Sequence, residues 1–201
     1  MTFNAIRRTA CPLILLLGAA LLQGCFAVVA GGALVGADTA HDRRPAVVVA
    51  GDRNVQLTAF DAINRHKELA RDDNDVKIVV YNHVMLLAGQ VRSAALKQLA
   101  QDTVADIEGV SRLVNDLEVT DEPQGFWRRR QDNTVTARVK TGLLNITSMP
   151  GFDPTRVNVT TSHRVVYLMG MVSHEEGDAA ADIARDTGGV DKVVKLFEYT
   201  D

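Results

Sequence analysis

The sequence predicts an α+β fold: two tandem αββαβ domains behind a lipoprotein signal peptide and a flexible tether. Three observations predict it. The apolar run Val84 to Val91 returns as Val165 to Val172, and both runs end in Gly-x-Val, at Gly89 and Gly170. Each run follows another β-rich stretch and precedes a segment of helical period that stops at Gly-Val, Gly109-Val110 and then Gly189-Val190. The first 25 residues form a basic, then apolar, then cysteine pattern. The interval from Gly89 to Gly170 matches that from Gly109 to Gly189 to within one residue. A spacing held so closely is an internal duplication, and two copies are too few for a solenoid. The 201 residues then divide into a signal peptide (1–24), an acylated cysteine with its tether (25–51), a first domain (52–120) and a second (121–201). Each domain has roughly 70 residues, near the lower limit for a self-sufficient core.

The leader comes first. Arg7 and Arg8 precede the apolar stretch Leu13 to Leu22, and Leu22-Gln23-Gly24-Cys25 follows. This is a bacterial signal peptide of the lipoprotein kind. It resembles a lipobox, with an apolar residue three before the cysteine and a small one directly before it. The Cys25 thiol is the acceptor for diacylglycerol, and the new α-amino group takes a further acyl chain. Several chains make anchoring stable, since each buried CH₂ adds about 0.8 kcal/mol. Gly24, Gly31, Gly32 and Gly36 interrupt the apolar stretch and argue against an uncleaved transmembrane helix. Phe26 stands where an aspartate would resemble an inner-membrane retention signal, which implies the outer membrane. Cys11 falls in the leader, so cleavage leaves one cysteine and no intramolecular disulfide. Phe26 to Ala37 reads as a glycine-rich tether and Asp38 to Pro45 as a charged linker.

In the first domain, Asp52 to Leu69 reads as a helix, with Val55, Ala59, Ala62, Ile63 and Leu69 on one stripe. Asp52 or Asn54 is its candidate cap. His66 on the apolar side reads as a partly buried core residue. Asp72-Asp73-Asn74-Asp75 lacks the glycine and distal glutamate of a calcium loop and reads as a solvated turn. Val76 to Tyr81 and Val84 to Val91 form a hairpin across Asn82-His83. Ser93 caps a helix to Glu108, Gly109 stops it, and Val110 to Val119 is the last strand.

Thr120 to Gly125, with Pro123 and Gly125, reads as the boundary. Phe126-Trp127-Arg128-Arg129-Arg130 follows, holding the only tryptophan and the densest cationic run. A helix from about Asp132 to Met149 carries the stripe Val135, Val139, Gly142, Ile146 and Met149, with Arg130, Ala137, Lys140, Thr141 and Leu144 away from it. Strands Arg156 to Thr161 and Arg164 to Val172, a Ser173-capped helix to Asp186, and the strand Val190 to Tyr199 complete the second αββαβ unit.

These residues resemble the BON domain. Gly89, Val91, Gly109, Val110 and Val114 match its pattern in the first copy, and Gly170, Val172, Gly189, Val190 and Val194 in the second. The Leu168 to Val172 run, the Ala179 to Ala184 helix and Asp42-Arg43-Arg44 are also similar to dual-BON lipoproteins. The resemblance covers nearly all of residues 25–201. It implies a lipid-anchored outer-membrane protein that faces the periplasm and maintains envelope integrity. It further implies that the first helix of the second domain binds anionic phospholipid. Relatives carry a tryptophan near the start of that helix. The matching position is Thr134, and Trp127 stands about two turns earlier. Trp127, Arg128, Arg129, Arg130, Arg138, Lys140 and Leu144 are the candidate lipid-binding residues.

Composition agrees with a non-enzymatic role. The chain carries 22 Lys and Arg against 25 Asp and Glu; without residues 1–24 the balance is 20 against 25. A net −5 argues against nucleic acid as a partner. No phosphate loop, zinc-ligand spacing or nucleophile motif is present, and the five histidines are scattered, so neither a cofactor, a metal nor catalysis is expected. The alternative to lipid binding is a periplasmic scaffold for outer-membrane assembly proteins, which a large apolar patch without cations would favour.

Overall fold

The computed structural model describes residues 42–71, 74–121, 126–146 and 149–201, with the side chains of residues 126–129 left outside that description. The signal peptide, Cys25 and the tether to His41 lie outside the described residues. From His41 to Asp201 the chain is one compact unit.

The elements follow the αββαβ order twice. The first copy is α1 (Ala46–Arg65), β1 (Asp75–Tyr81), β2 (Val84–Val91), α2 (Ala94–Ala105) and β3 (Arg112–Val119). The second is α3 (Phe126–Leu144), β4 (Asn158–Ser162), β5 (Val165–Val172), α4 (His174–Asp186) and β6 (Lys192–Tyr199). Each repeated apolar run is a central strand. β2 pairs antiparallel with β1 and parallel with β3, and β5 pairs likewise with β4 and β6. A parallel partner needs a crossover, and α2 and α4 supply it. Ser93 and Ser173 start these helices by accepting the amides of Leu96 and Glu176, and Glu176 returns a bond to the Ser173 amide.

Both central strands are apolar on both faces because both faces are covered. Met85, Leu87 and Val91 of β2 meet Ala59 and Ile63 of α1 and Ala100 and Val104 of α2. Val166, Leu168 and Val172 of β5 meet Val135, Val139 and Leu143 of α3 and Ala180, Ala181 and Ala184 of α4. The alternate residues build a third core shared between the sheets: Tyr81, Leu86 and Ala88 pack with Tyr167 and Met169. The molecule is therefore helices, sheet, sheet, helices, and the tandem domains are fused through their sheets.

The Gly-x-Val signature has a steric cause. A Cβ on Gly89 would lie 1.8 Å from the Asp75 carbonyl oxygen, and one on Gly170 would lie 2.4 Å from that of Arg156. Only glycine lets the preceding segment cross so closely.

Three expectations change. The first helix begins at Ala46, well before Asp52 and directly after Pro45, whose carbonyl accepts the Val49 amide. Asp52 is no cap but is buried inside the helix, where it accepts the amides of Asn82 and His83 at 2.6 and 3.0 Å. The second domain repeats the device. α3 begins at Phe126 rather than Asp132, and buried Asp132 accepts the amides of His163 and Arg164 at 2.9 and 3.1 Å. Both hairpin turns hold two consecutive residues at positive φ, 47° and 64° for Asn82 and His83, 49° and 65° for His163 and Arg164. This conformation points adjacent amides the same way, and one carboxylate satisfies both. Finally, Asn74 and Asp75 are buried rather than solvated: Asn74 donates to the Glu68 carbonyl and accepts the Arg92 amide, and Asp75 opens β1. Asp72 and Asp73 lie outside the described residues.

Asp42-Arg43-Arg44 is also structural. Arg44 pairs with Asp42 and Asp52, both at 2.7 Å, and lies 3.7 Å over the Tyr81 ring. Arg43 reaches the other domain, with Glu176 at 2.8 Å and the Met171 carbonyl at 2.9 Å.

Candidate functional site: the outer face of α3

α3 turns Val135, Val139 and Leu143 into its own core, and Gly142 lets it approach Ile183 of α4. That fixes what faces water. Arg130, Thr134, Ala137, Arg138, Lys140, Thr141 and Leu144 are exposed, and Leu144 is 67% exposed despite being fully apolar. Arg138 lends one hydrogen bond to the Gly188 carbonyl at 3.3 Å. The only acid on α3 is Asp132, and it points inward. The exposed face is thus cationic with an apolar end, on a chain that is acidic as a whole.

Of the candidate lipid-binding residues, Arg130, Arg138, Lys140 and Leu144 are gathered on this one helix as exposed side chains. Trp127, Arg128 and Arg129 belong to the first turn of the same helix, although their side chains lie outside the described ones. Cys25 lies outside the described residues. Among the described residues no helix is long and apolar enough to cross a membrane, and no group of His, Cys, Asp and Glu is arranged to hold a metal ion.

A polar border around the shared core escaped the reading of the sequence. Tyr167 donates to Asp116 at 2.9 Å, and burial raises its phenol above the ordinary range. Lys77 of the first domain donates to the Thr161 carbonyl at 2.7 Å and lies 3.4 Å from Asp132. Asn82 bonds Glu198. These partners are far apart along the chain, and no local pattern announces them. The two aspartates could have been found: Asp52 and Asp132 hold equivalent places in the two copies, each inside a helix and each followed, at nearly the same interval, by a hairpin turn.

His163 belongs to this border. Its side chain is only 8% exposed, Nδ1 faces the Ser162 hydroxyl at 3.1 Å, and Nε2 lies 3.8 Å from Asp75. Burial lowers its pKa, and nearby Lys77 acts the same way, against the opposite pull of Asp75, Asp132 and Glu118. The folded protein therefore takes up this proton less readily than the unfolded chain, whose histidine titrates near 6.5. Stability from this group is complete above about pH 6.5 and declines as pH falls from there toward the lowered folded value. His163→Asn, which tolerates positive φ, should lose less melting temperature than the parent between pH 7.5 and 5.5. Equal losses in calorimetry would show that His163 does not set this slope.

Comparison with known proteins agrees with the architecture. The BON domain family matches residues 42–121 and 131–201. Outer membrane lipoprotein DolP of Haemophilus influenzae is 32% identical over 202 residues, covering the whole of both chains. The 21 kDa hemolysin of Actinobacillus pleuropneumoniae is 32% identical over 129 residues, 64% of each chain. Osmotically-inducible protein Y of Escherichia coli is 31% identical over 121 residues, 59% of each chain. Two family matches fall on the two αββαβ copies and one relative aligns from end to end, so the chain belongs to the BON-domain family, as a dual-BON outer-membrane lipoprotein of the DolP type.

Proposed function

We propose that this protein, acylated at Cys25 and facing the periplasm, binds anionic phospholipid through α3 of its second domain and so helps maintain the envelope. It carries no catalytic step. The observation that supports this most is the outer face of α3, where Arg130, Arg138 and Lys140 are exposed beside Leu144 and no carboxylate shares the face. Near an anionic surface each cation contributes about 1 kcal/mol, and an interfacial tryptophan such as Trp127 rests at headgroup level.

Changing Arg128, Arg129 and Arg130 together to serine removes about 3 kcal/mol of this attraction. Binding of residues 41–201 to phosphatidylglycerol vesicles at low salt should fall on the order of 100-fold. Salt should weaken the parent as well, because exposed charges are screened within about 8 Å at physiological ionic strength. Undiminished binding by the triple variant, or binding of the parent indifferent to salt, would remove the lipid reading. A partner-protein scaffold would then be the better account.

A further inference from the structure

The duplication allows α1 and α3 to be compared position by position, since Asp52 corresponds to Asp132, Val55 to Val135 and Ala59 to Val139, all at one constant offset. Their buried sides agree and their outer sides do not. Where α3 has Ala137 and Lys140, α1 has Leu57 and Phe60, and these are 55% and 56% exposed. Two large apolar side chains left in water on one helix flank call for an occupant. With Gln56 they form one wall of a groove of about 380 Å³, whose other wall is Val76, Lys77 and Ile78 of β1. A second hollow shares Phe60, Val76 and Ile78 and carries the groove on to Asn64 and Arg71.

What the groove can hold follows from β1, an edge strand of the first sheet. The turn after β1 has two residues, so Tyr81 and Val84 exchange both backbone hydrogen bonds. The alternation of an antiparallel ladder repeats this exchange at Val79 with Leu86 and at Lys77 with Ala88. The residues between them, Val76 and Ile78, therefore turn their N–H and C=O groups away from β2, toward the groove. Among the described residues no backbone hydrogen bond reaches them from that side. An open row of backbone donors and acceptors beside apolar side chains is a template for one more strand. A lipid tail offers nothing to pair with it.

The added strand is not β1 of a second copy. α1 lies over β1, whereas α2 lies over β2 and β3. Neighbouring strands are about 4.8 Å apart, so two β1 strands joined edge to edge would bring their α1 helices to a similar distance. Helices pack at roughly 8–10 Å. A lone extended segment carries no helix and fits. Its ends meet cations: Arg53, exposed one turn before Leu57 on the same flank, and Arg71 at the far end of the groove.

We propose that the groove between α1 and β1 binds an extended peptide segment of a partner protein by strand addition, the segment being apolar at alternate residues and acidic toward its ends. Main-chain bonds to Val76 and Ile78 hold it, and Leu57 and Phe60 cover every second side chain. The site belongs to the first domain and does not depend on lipid binding by α3.

The test uses residues 41–201 and a capped peptide of alternating valine and threonine with a glutamate at each end. In the free protein, amide hydrogen exchange should be fast at Val76 and Ile78 and slow at Lys77 and Val79. Slow exchange at all four would overturn the open edge. Saturating peptide should slow Val76 and Ile78 by about tenfold or more. Methylating one alternate set of peptide nitrogens should abolish binding, and methylating the other set should not; equal tolerance of both would show that no strand is added. Leu57→Ser with Phe60→Ser should weaken peptide binding roughly tenfold while affinity for phosphatidylglycerol vesicles stays parental. Parental peptide affinity in that variant, or no peptide binding by the parent, would overturn the groove as a peptide site. Protection of Val76 and Ile78 by vesicles would assign the groove to the membrane, and protection that rises with protein concentration alone would assign it to a second copy. Either result would overturn the peptide as its occupant.

Discussion

Met169→Lys is expected to destabilise the whole of residues 41–201, not the second domain alone. Met169 is 1% exposed at the centre of the core that the two sheets share, against Leu86 and Ala88. A lysine there must bury an unpaired ammonium or force the sheets apart. Costs of this kind run to about 3–5 kcal/mol. For a unit of this size that corresponds to a fall in melting temperature of about 10 °C or more. The distinguishing result is cooperativity. If the sheets depend on one another, first-domain amides should lose hydrogen-exchange protection together with second-domain amides. A variant whose first domain kept full protection would show the domains to be independent.

Asp132→Ala should be nearly as damaging through a different cause. It leaves the His163 and Arg164 amides without their acceptor at a turn already at positive φ, and it strips Lys77 of its carboxylate. Buried donors left unpaired cost about 1–3 kcal/mol each, so a loss of about 3 kcal/mol is expected. Asp132→Asn keeps one carbonyl acceptor and should lose visibly less in urea unfolding. Asp52→Ala should behave alike in the first domain, where it also removes one of the two carboxylates that hold Arg44. Equal stability of Asp132→Ala and the parent would mean that the turn holds itself.

The αββαβ order, the hairpins and the serine caps were legible because they rest on local chemistry: alternating or continuous apolar runs, turn residues and a hydroxyl before a helix. The packing of sheet on sheet was half legible. A run such as Val165 to Val172 is apolar at both parities, which says that both faces are covered but not by what. The cover for Tyr167 and Met169 is Leu86 and Ala88, which belong to the other copy of the repeat. Asp52 and Asp132 misled for a physical reason. An aspartate is common at a helix start, so Asp52 reads as a cap and Asp132 as a first residue, and only the distant turn shows that each serves amides outside its own helix. At the candidate site, Leu144 was legible as lying off the core stripe of α3, and its 67% exposure agrees. Leu57 and Phe60 likewise fall outside the stripe of Val55, Ala59, Ala62, Ile63 and Leu69 in the first helix, and both are exposed.

The most direct test of lipid recognition is to map it by nuclear magnetic resonance, using phosphatidylglycerol vesicles that carry a paramagnetic headgroup lipid. Amides of α3 between Phe126 and Leu144 should broaden first and most. Broadening centred on β3 or β6 with α3 untouched would contradict the account.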